Sequence, residues 1–115
     1  MNVIRRRIVL LVATVFISHA TVSFGPAARA ADGSALFVKN CALCHGLDGK
    51  ARSAIAKKLG VKDLSVSKLS DTDIEKQIKE GSRNKRGDQI MPSFKDRLTE
   101  EEIQALIVAV KGFRK

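Results

Sequence analysis

A chain of 115 residues leaves room for one domain at most. Its 21 Lys and Arg against 12 Asp and Glu give a formal charge of +9, which favours acidic partners over basic ones. The basic residues are not interleaved with aromatics, since Tyr and Trp are absent and Phe occurs five times, so a single-strand nucleic-acid binder is excluded.

In chain order, the first feature is a targeting signal. Arg5, Arg6 and Arg7 precede an apolar run from Ile8 to Ile17, and Ala28-Arg29-Ala30 offers small residues at the positions a signal peptidase reads. Residues 1–30 are expected to be a secretory signal peptide cleaved after Ala30, which sends residues 31–115 to the periplasm. The alternative is an uncleaved membrane anchor. A spanning helix needs roughly 20 apolar residues, and His19 interrupts the run before that length. Cleavage removes four Arg and no acid, leaving 17 basic and 12 acidic side chains, a formal +5. The remaining domain of 85 residues is small enough to need a staple. A disulfide between Cys41 and Cys44 closes too short a loop to supply it.

Asp32 to Asn40 reads as a short helix capped by Asp or Ser, with Leu36, Phe37 and Asn40 on one side. Residues 46–69 are basic and glycine-punctuated, with a short helix around Arg52 to Leu59 stopped by Gly60. Ser70 and Asp73 cap a clearer helix in which Ile74 and Ile78 stand four apart and which ends at Gly81. Residues 81–97 read as loop, and no strand is predicted. Thr99 and Glu102 form a capping box for the last helix, and Ile103, Leu106, Ile107 and Val110 form its apolar stripe up to Gly112. The expected fold class is all-α, with three to four short helices and long loops.

The chemistry lies in Cys41-Ala42-Leu43-Cys44-His45, a Cys-x-x-Cys-His pattern that marks covalent attachment of haem. Each thiol adds across one vinyl group, and two intervening residues let one helical turn offer both sulfurs to one edge of the macrocycle. The adjacent His45 can then ligate the iron. One haem c per chain is the expected cofactor. A zinc half-site and a redox dithiol are the rival readings. Zinc usually takes four Cys or His ligands, and residues 31–115 hold only Cys41, Cys44 and His45. A thioredoxin-type dithiol expects a βαβ setting, which this sequence lacks. After signal removal Met91 is the sole methionine, and so the sole candidate of the usual kind for the sixth iron position. Its place in a glycine-rich, basic loop before Pro92 favours ligation over core filling.

With these residues the sequence resembles the class I cytochrome c family, especially its short bacterial members, over nearly all of residues 33–113. Gly33 and Phe37 stand eight and four residues before Cys41; Cys41, Cys44, His45 and Gly46 match the attachment motif; Met91-Pro92-Ser93-Phe94 matches the Met-Pro-x-Phe segment; Leu98-Thr99 and Leu106 match the last helix. The resemblance implies a small cytochrome c fold around one haem, with the first and last helices crossing through Gly33, Phe37 and Leu106. Two departures stand out. Ala109 occupies a position that is often aromatic, so Phe113 is expected to fill the crossing. Many members have a proline after the attachment motif near the acceptor for the proximal imidazole, but Pro92 is the only proline of residues 31–115, so that acceptor is unassigned. Leu59, Val61 and Leu64 are expected to wall the pocket.

Iron held between His45 and Met91 has no open position, which points to electron transfer and away from catalysis on a small-molecule substrate. The competing class is a haem peroxidase or gas-binding module, which requires Met91 off the iron. Lys50, Arg52, Lys57, Lys58 and Lys62, with Arg83, Lys85 and Arg86, are candidates to steer acidic redox partners such as a membrane or periplasmic reductase or oxidase. A plain solvated surface is the equal alternative.

Overall fold

The computed structural model describes residues 30–115. Apart from Ala30, the expected signal peptide lies outside the described residues. Five α-helices, one 3₁₀ turn and one two-stranded ribbon make up the domain: α1 (Gly33–Asn40), α2 (Ala42–His45), α3 (Ala54–Leu59), the 3₁₀ turn (Leu64–Val66), α4 (Asp71–Glu80), β1 (Ser82–Arg83), β2 (Gln89–Met91) and α5 (Glu100–Gly112). Among the described residues no helix is long and apolar enough to cross a membrane.

Helix starts follow from side chains that accept the orphan amides of a first turn. The Asp32 carboxylate takes Ser34 N and Ala35 N at 3.0 and 3.1 Å. Ser53 Oγ accepts from Ala56 N, so α3 begins at Ala54 and Arg52 stays outside it. Ser70 with Asp73, and Thr99 with Glu102, make reciprocal capping boxes on α4 and α5. Gly60, at φ 68°, ends α3 in the left-handed conformation that suits glycine.

α1 crosses α5 at Gly33, where an added Cβ would stand 2.1 Å from the Ala105 carbonyl oxygen. The close approach buries Phe37 and Leu106 and lets the Phe37 and Phe113 rings meet at 4.7 Å, so Phe113 does fill the crossing that Ala109 leaves open. Ile74 and Ile78 of α4 join Ile103, Leu106, Ile107 and Val110 of α5 in one core with Phe37 and Phe94. Ion pairs fasten the two helices at their rims: Lys79 Nζ lies 2.8 Å from Glu100, and Lys111 Nζ lies 2.7 Å from Asp71, while Glu75 one turn back in α4 holds Lys79 at 2.5 Å.

The expectation of loop throughout residues 81–97, with no strand, is corrected. β1 and β2 pair antiparallel, Ser82 with Met91 and Arg83 with Gln89, with a bulge between. Asn84 builds the turn: its side-chain oxygen accepts from Arg86 N and Asp88 N, both at 2.9 Å, while its own N–H donates to the Asp88 carbonyl. Strands of two and three residues carry no alternation for a sequence to display. The helix count also rises from the expected three or four to five, because the attachment motif forms its own turn, α2.

Candidate functional site

α2 is a single turn following directly on α1, with Cys41 at its start. Cys44 N and His45 N both donate to the Cys41 carbonyl, at 3.2 and 2.9 Å. The chain then doubles back: Ala51 N donates to the His45 carbonyl at 2.8 Å, and Leu64 N to the Gly49 carbonyl at 2.8 Å. Ala51 holds a left-handed φ of 51°, uncommon for a residue with a Cβ and therefore a point of local strain beside the motif.

Cys41, His45 and Met91 come together on the lining of one largely apolar cavity, walled by Phe37, Leu64, Ile74, Ile78 and Val110. Ser67, Leu69 and Gln77 complete the lining. Cys44 is half-buried beside it but not on the lining, and Leu43 between the cysteines points out, 82% exposed. Leu59 and Val61, expected as pocket wall, are not on it; only Leu64 of that trio is. The N–H of Val61 closes the end of α3 on the Ala56 carbonyl, which holds that segment against α3.

Both thiols are free. Burial, with the nearby Cys44 sulfur adding to it, pushes the Cys41 thiol up to about 11. That is the opposite of the acidified thiol a disulfide oxidoreductase needs. Among the described residues no group of three or more His, Cys, Asp or Glu is placed to hold a metal ion. Burial lowers the His45 pKa, and a backbone interaction with Lys62 partly opposes the shift. Nδ1 of His45 is buried without a hydrogen-bond partner of normal geometry.

Met91 sits at the end of β2, and the C-terminal turn of α4 holds it. Phe94 N donates to the Ile78 carbonyl at 3.0 Å, and Ser93 Oγ to the Lys79 carbonyl at 2.5 Å. Gly81 lies so close that an added Cβ would stand 2.2 Å from the Met91 carbonyl oxygen. Sequence reasoning missed Gln77, whose Nε2 donates to the Gly81 carbonyl at 2.9 Å and approaches Met91 Sδ at 3.7 Å. The only sequence signal for it is its place one residue before Ile78, on the turn that faces the cavity.

The basic residues divide. Arg52 is paired with Asp48, Arg86 Nε lies 3.5 Å from Asp88, and Arg83 donates to the Gly87 carbonyl at 2.8 Å. Lys57, Lys58, Lys62 and Lys85 are exposed and form no ion pair among the described residues.

A single-turn Cys-x-x-Cys-His leading out of a helix that crosses the last one, beside an apolar cavity, defines a c-type cytochrome domain. Residues 28–108 match the family described as cytochrome c oxidase, cbb3-type, subunit III, and the chain belongs to this family of c-type cytochrome domains, in which haem serves electron transfer. It is similar to the solved KustC0563 c-type cytochrome, at 36% identity and a TM-score of 0.65, over 73% of this chain and 99% of that one. A single-substitution mutant of that protein matches at 37% identity and a TM-score of 0.62, over 71% and 98% of the two chains. No curated protein matches.

Proposed function

We propose that this chain is a periplasmic carrier of single electrons. It would hold one haem c through thioether bonds from Cys41 and Cys44, with His45 and Met91 as the axial ligands of the iron. The observation that carries this reading is the convergence of Met91 with Cys41 and His45, some 50 residues before it in sequence, on one apolar cavity. The described residues fit such a group: two free thiols on one turn, and an imidazole and a thioether on the lining of one apolar cavity. When bound, haem supplies the one-electron couple. The chain's own residues attach it, exclude water with Phe37, Leu64, Ile74, Ile78 and Val110, and leave no ligand position free for a substrate.

The test is spectroscopic. Haem staining of a denaturing gel should follow the wild-type band and be lost in the double variant Cys41→Ser/Cys44→Ser. The oxidised protein should show a far-red Met-to-iron charge-transfer band that Met91→Ala abolishes. A high-spin oxidised spectrum in the wild type would sink the carrier reading and move the chain to the peroxidase or gas-binding class.

The export signal in residues 1–30 supports a periplasmic location, which protease protection in spheroplasts checks. Exposed Lys57, Lys58, Lys62 and Lys85 support a redox partner with an acidic docking surface, such as a membrane or periplasmic reductase or oxidase. The family description makes a cbb3-type oxidase one candidate. Steering of this kind requires electron-transfer rates that fall as salt rises; rates indifferent to salt would remove it.

A further inference from the structure

The two hydrogen bonds that pin the Met91 segment to α4, from Phe94 N and Ser93 Oγ, place its main chain, but neither reaches the sulfur. Among the described residues one donor does, the side-chain amide of Gln77. Its nitrogen carries two hydrogens. One is used on the Gly81 carbonyl at 2.9 Å, a bond that fixes the amide against the end of α4. The other is left for Met91 Sδ at 3.7 Å, within the longer reach of a sulfur acceptor. Gly81, at φ 73° with no room for a Cβ against the Met91 and Pro92 backbone, keeps the two ends of this bridge together. Gln77 and Met91 are also both on the cavity lining, so the contact sits inside the site.

We infer that Gln77 is a positioning residue for Met91: its amide takes up one lone pair of the thioether and holds the other for the iron. A thioether is a weak acceptor, so the bond adds little to stability. Its effect is electronic and stereochemical. An N–H dipole beside the sulfur withdraws electron density from it, which weakens its donation to ferric iron and favours the ferrous state. Hydrogen bonding around a ligand is one of the levers a protein has on a haem potential. Occupying one lone pair also selects which face of the sulfur is free, and so fixes the handedness of the bound methionine.

The inference rests on the proposed His45 and Met91 ligation, and one experiment separates the two. Full-length holoprotein is prepared as wild type, Gln77→Leu, Gln77→Glu and Ser93→Ala. Midpoint potential and the far-red Met-to-iron band are measured for each. Gln77→Leu keeps the bulk and loses both donors; Gln77→Glu keeps the length and, ionised, cannot donate. Ser93→Ala breaks a staple of the same segment to the same helix without touching the sulfur.

Both Gln77 variants should lower the potential by an amount equal to about a tenfold change in the ferric–ferrous equilibrium, ~59 mV for one electron. They should also displace the far-red band and its circular-dichroism sign or amplitude, while Ser93→Ala leaves potential and band where they are. A wild-type potential and band in either Gln77 variant overturns the inference. So does an equal change in Ser93→Ala, which would make Gln77 only a clasp for the helix end. Absence of the band in the wild type itself overturns the ligation reading beneath it. Should Gln77→Leu fail to fold, Gln77→Glu decides alone.

Discussion

Replacing Gly33 by Ala sets two effects of opposite sign against each other. Gly33 opens α1 with an ordinary helical φ, so intrinsic propensity favours Ala, by up to ~1 kcal/mol in a helix interior and less at a first position. Against this, the new Cβ would stand 2.1 Å from the Ala105 carbonyl oxygen, 2.7 Å from its carbon and 3.3 Å from Ala109 Cβ. An unstrained contact is about 3.5 Å, so α1 has to retreat from α5 by about 1.4 Å. A gap of that size forfeits at least a quarter to a half of the dispersion contact of side chains such as Phe37, only 2% exposed at the crossing. Overpacking of this kind costs about 1–3 kcal/mol, so the clash outweighs propensity and the net loss is about 1–2 kcal/mol. For a domain of this size that lowers the melting temperature by about 5–15 °C. Gly112→Ala is the control, because no atom lies within 4 Å of a Cβ there and the residue is in the last turn of α5. It should hold or raise the melting temperature by a few degrees. Thermal unfolding followed by far-ultraviolet circular dichroism reads both. A melting temperature for Gly33→Ala at or above wild type would refute the close crossing of α1 on α5.

Phe113→Ala removes a half-buried ring stacked on Phe37 and should cost ~2 kcal/mol in a urea titration, below the range for a fully buried Phe. Thr99→Ala removes the acceptor for Glu102 N and leaves only the reciprocal bond from the residue 99 backbone N–H to the Glu102 carboxylate, so the same titration should show a loss of about 1 kcal/mol. Stability should also depend on pH at both ends. The Ser65 hydroxyl and amide hold the Asp63 carboxyl below its usual range, Ser70 does the same for Asp73, and Lys79 does so for Glu100. A lowered folded pKa gives stability that is complete above the unfolded value near pH 4 and is lost as pH falls through the folded one. Lys79 is raised by Glu100 and Glu75, so its contribution is complete below about pH 10 and is lost as pH rises through its folded pKa. A melting temperature unchanged from pH 7 down to pH 3 would count against the carboxylate contacts.

What the sequence displays is what short-range chemistry decides. Asp32, Ser70 with Asp73, and Thr99 with Glu102 satisfy amides within three residues of themselves, and the helices begin where those residues predict. The stripe Ile103, Leu106, Ile107 and Val110 is the buried face of α5 for the same local reason. Even the role of Phe113 is legible, through the small residue at position 109 that leaves the crossing unfilled. The ribbon is hidden because its stability lies in the Asn84 side chain and the Gly81 approach, not in a repeating pattern. Leu59 and Val61 mislead because apolar residues near a predicted site need not face it; the closure of α3 at Gly60 turns them elsewhere. Gln77 is invisible because its partner is 14 residues on, across a helix end and a turn.

The candidate site stands on two supports that share one helix. His45 follows α1, whose Phe37 lies between the His45 ring, 6.4 Å away, and Phe113, 4.7 Å away. Met91 follows α4, which holds its segment through Ile78, Lys79 and Gly81. Neither α1 nor α4 is long, and each is anchored by packing on α5, whose Leu106 and Ile103 are almost fully buried. Both supports of the site therefore pack on α5. This explains why the longest and best-capped helix carries none of the residues proposed to bind. Its task is to hold two short arms, and the residues that do so are its apolar stripe and the Ala105 carbonyl against which Gly33 closes.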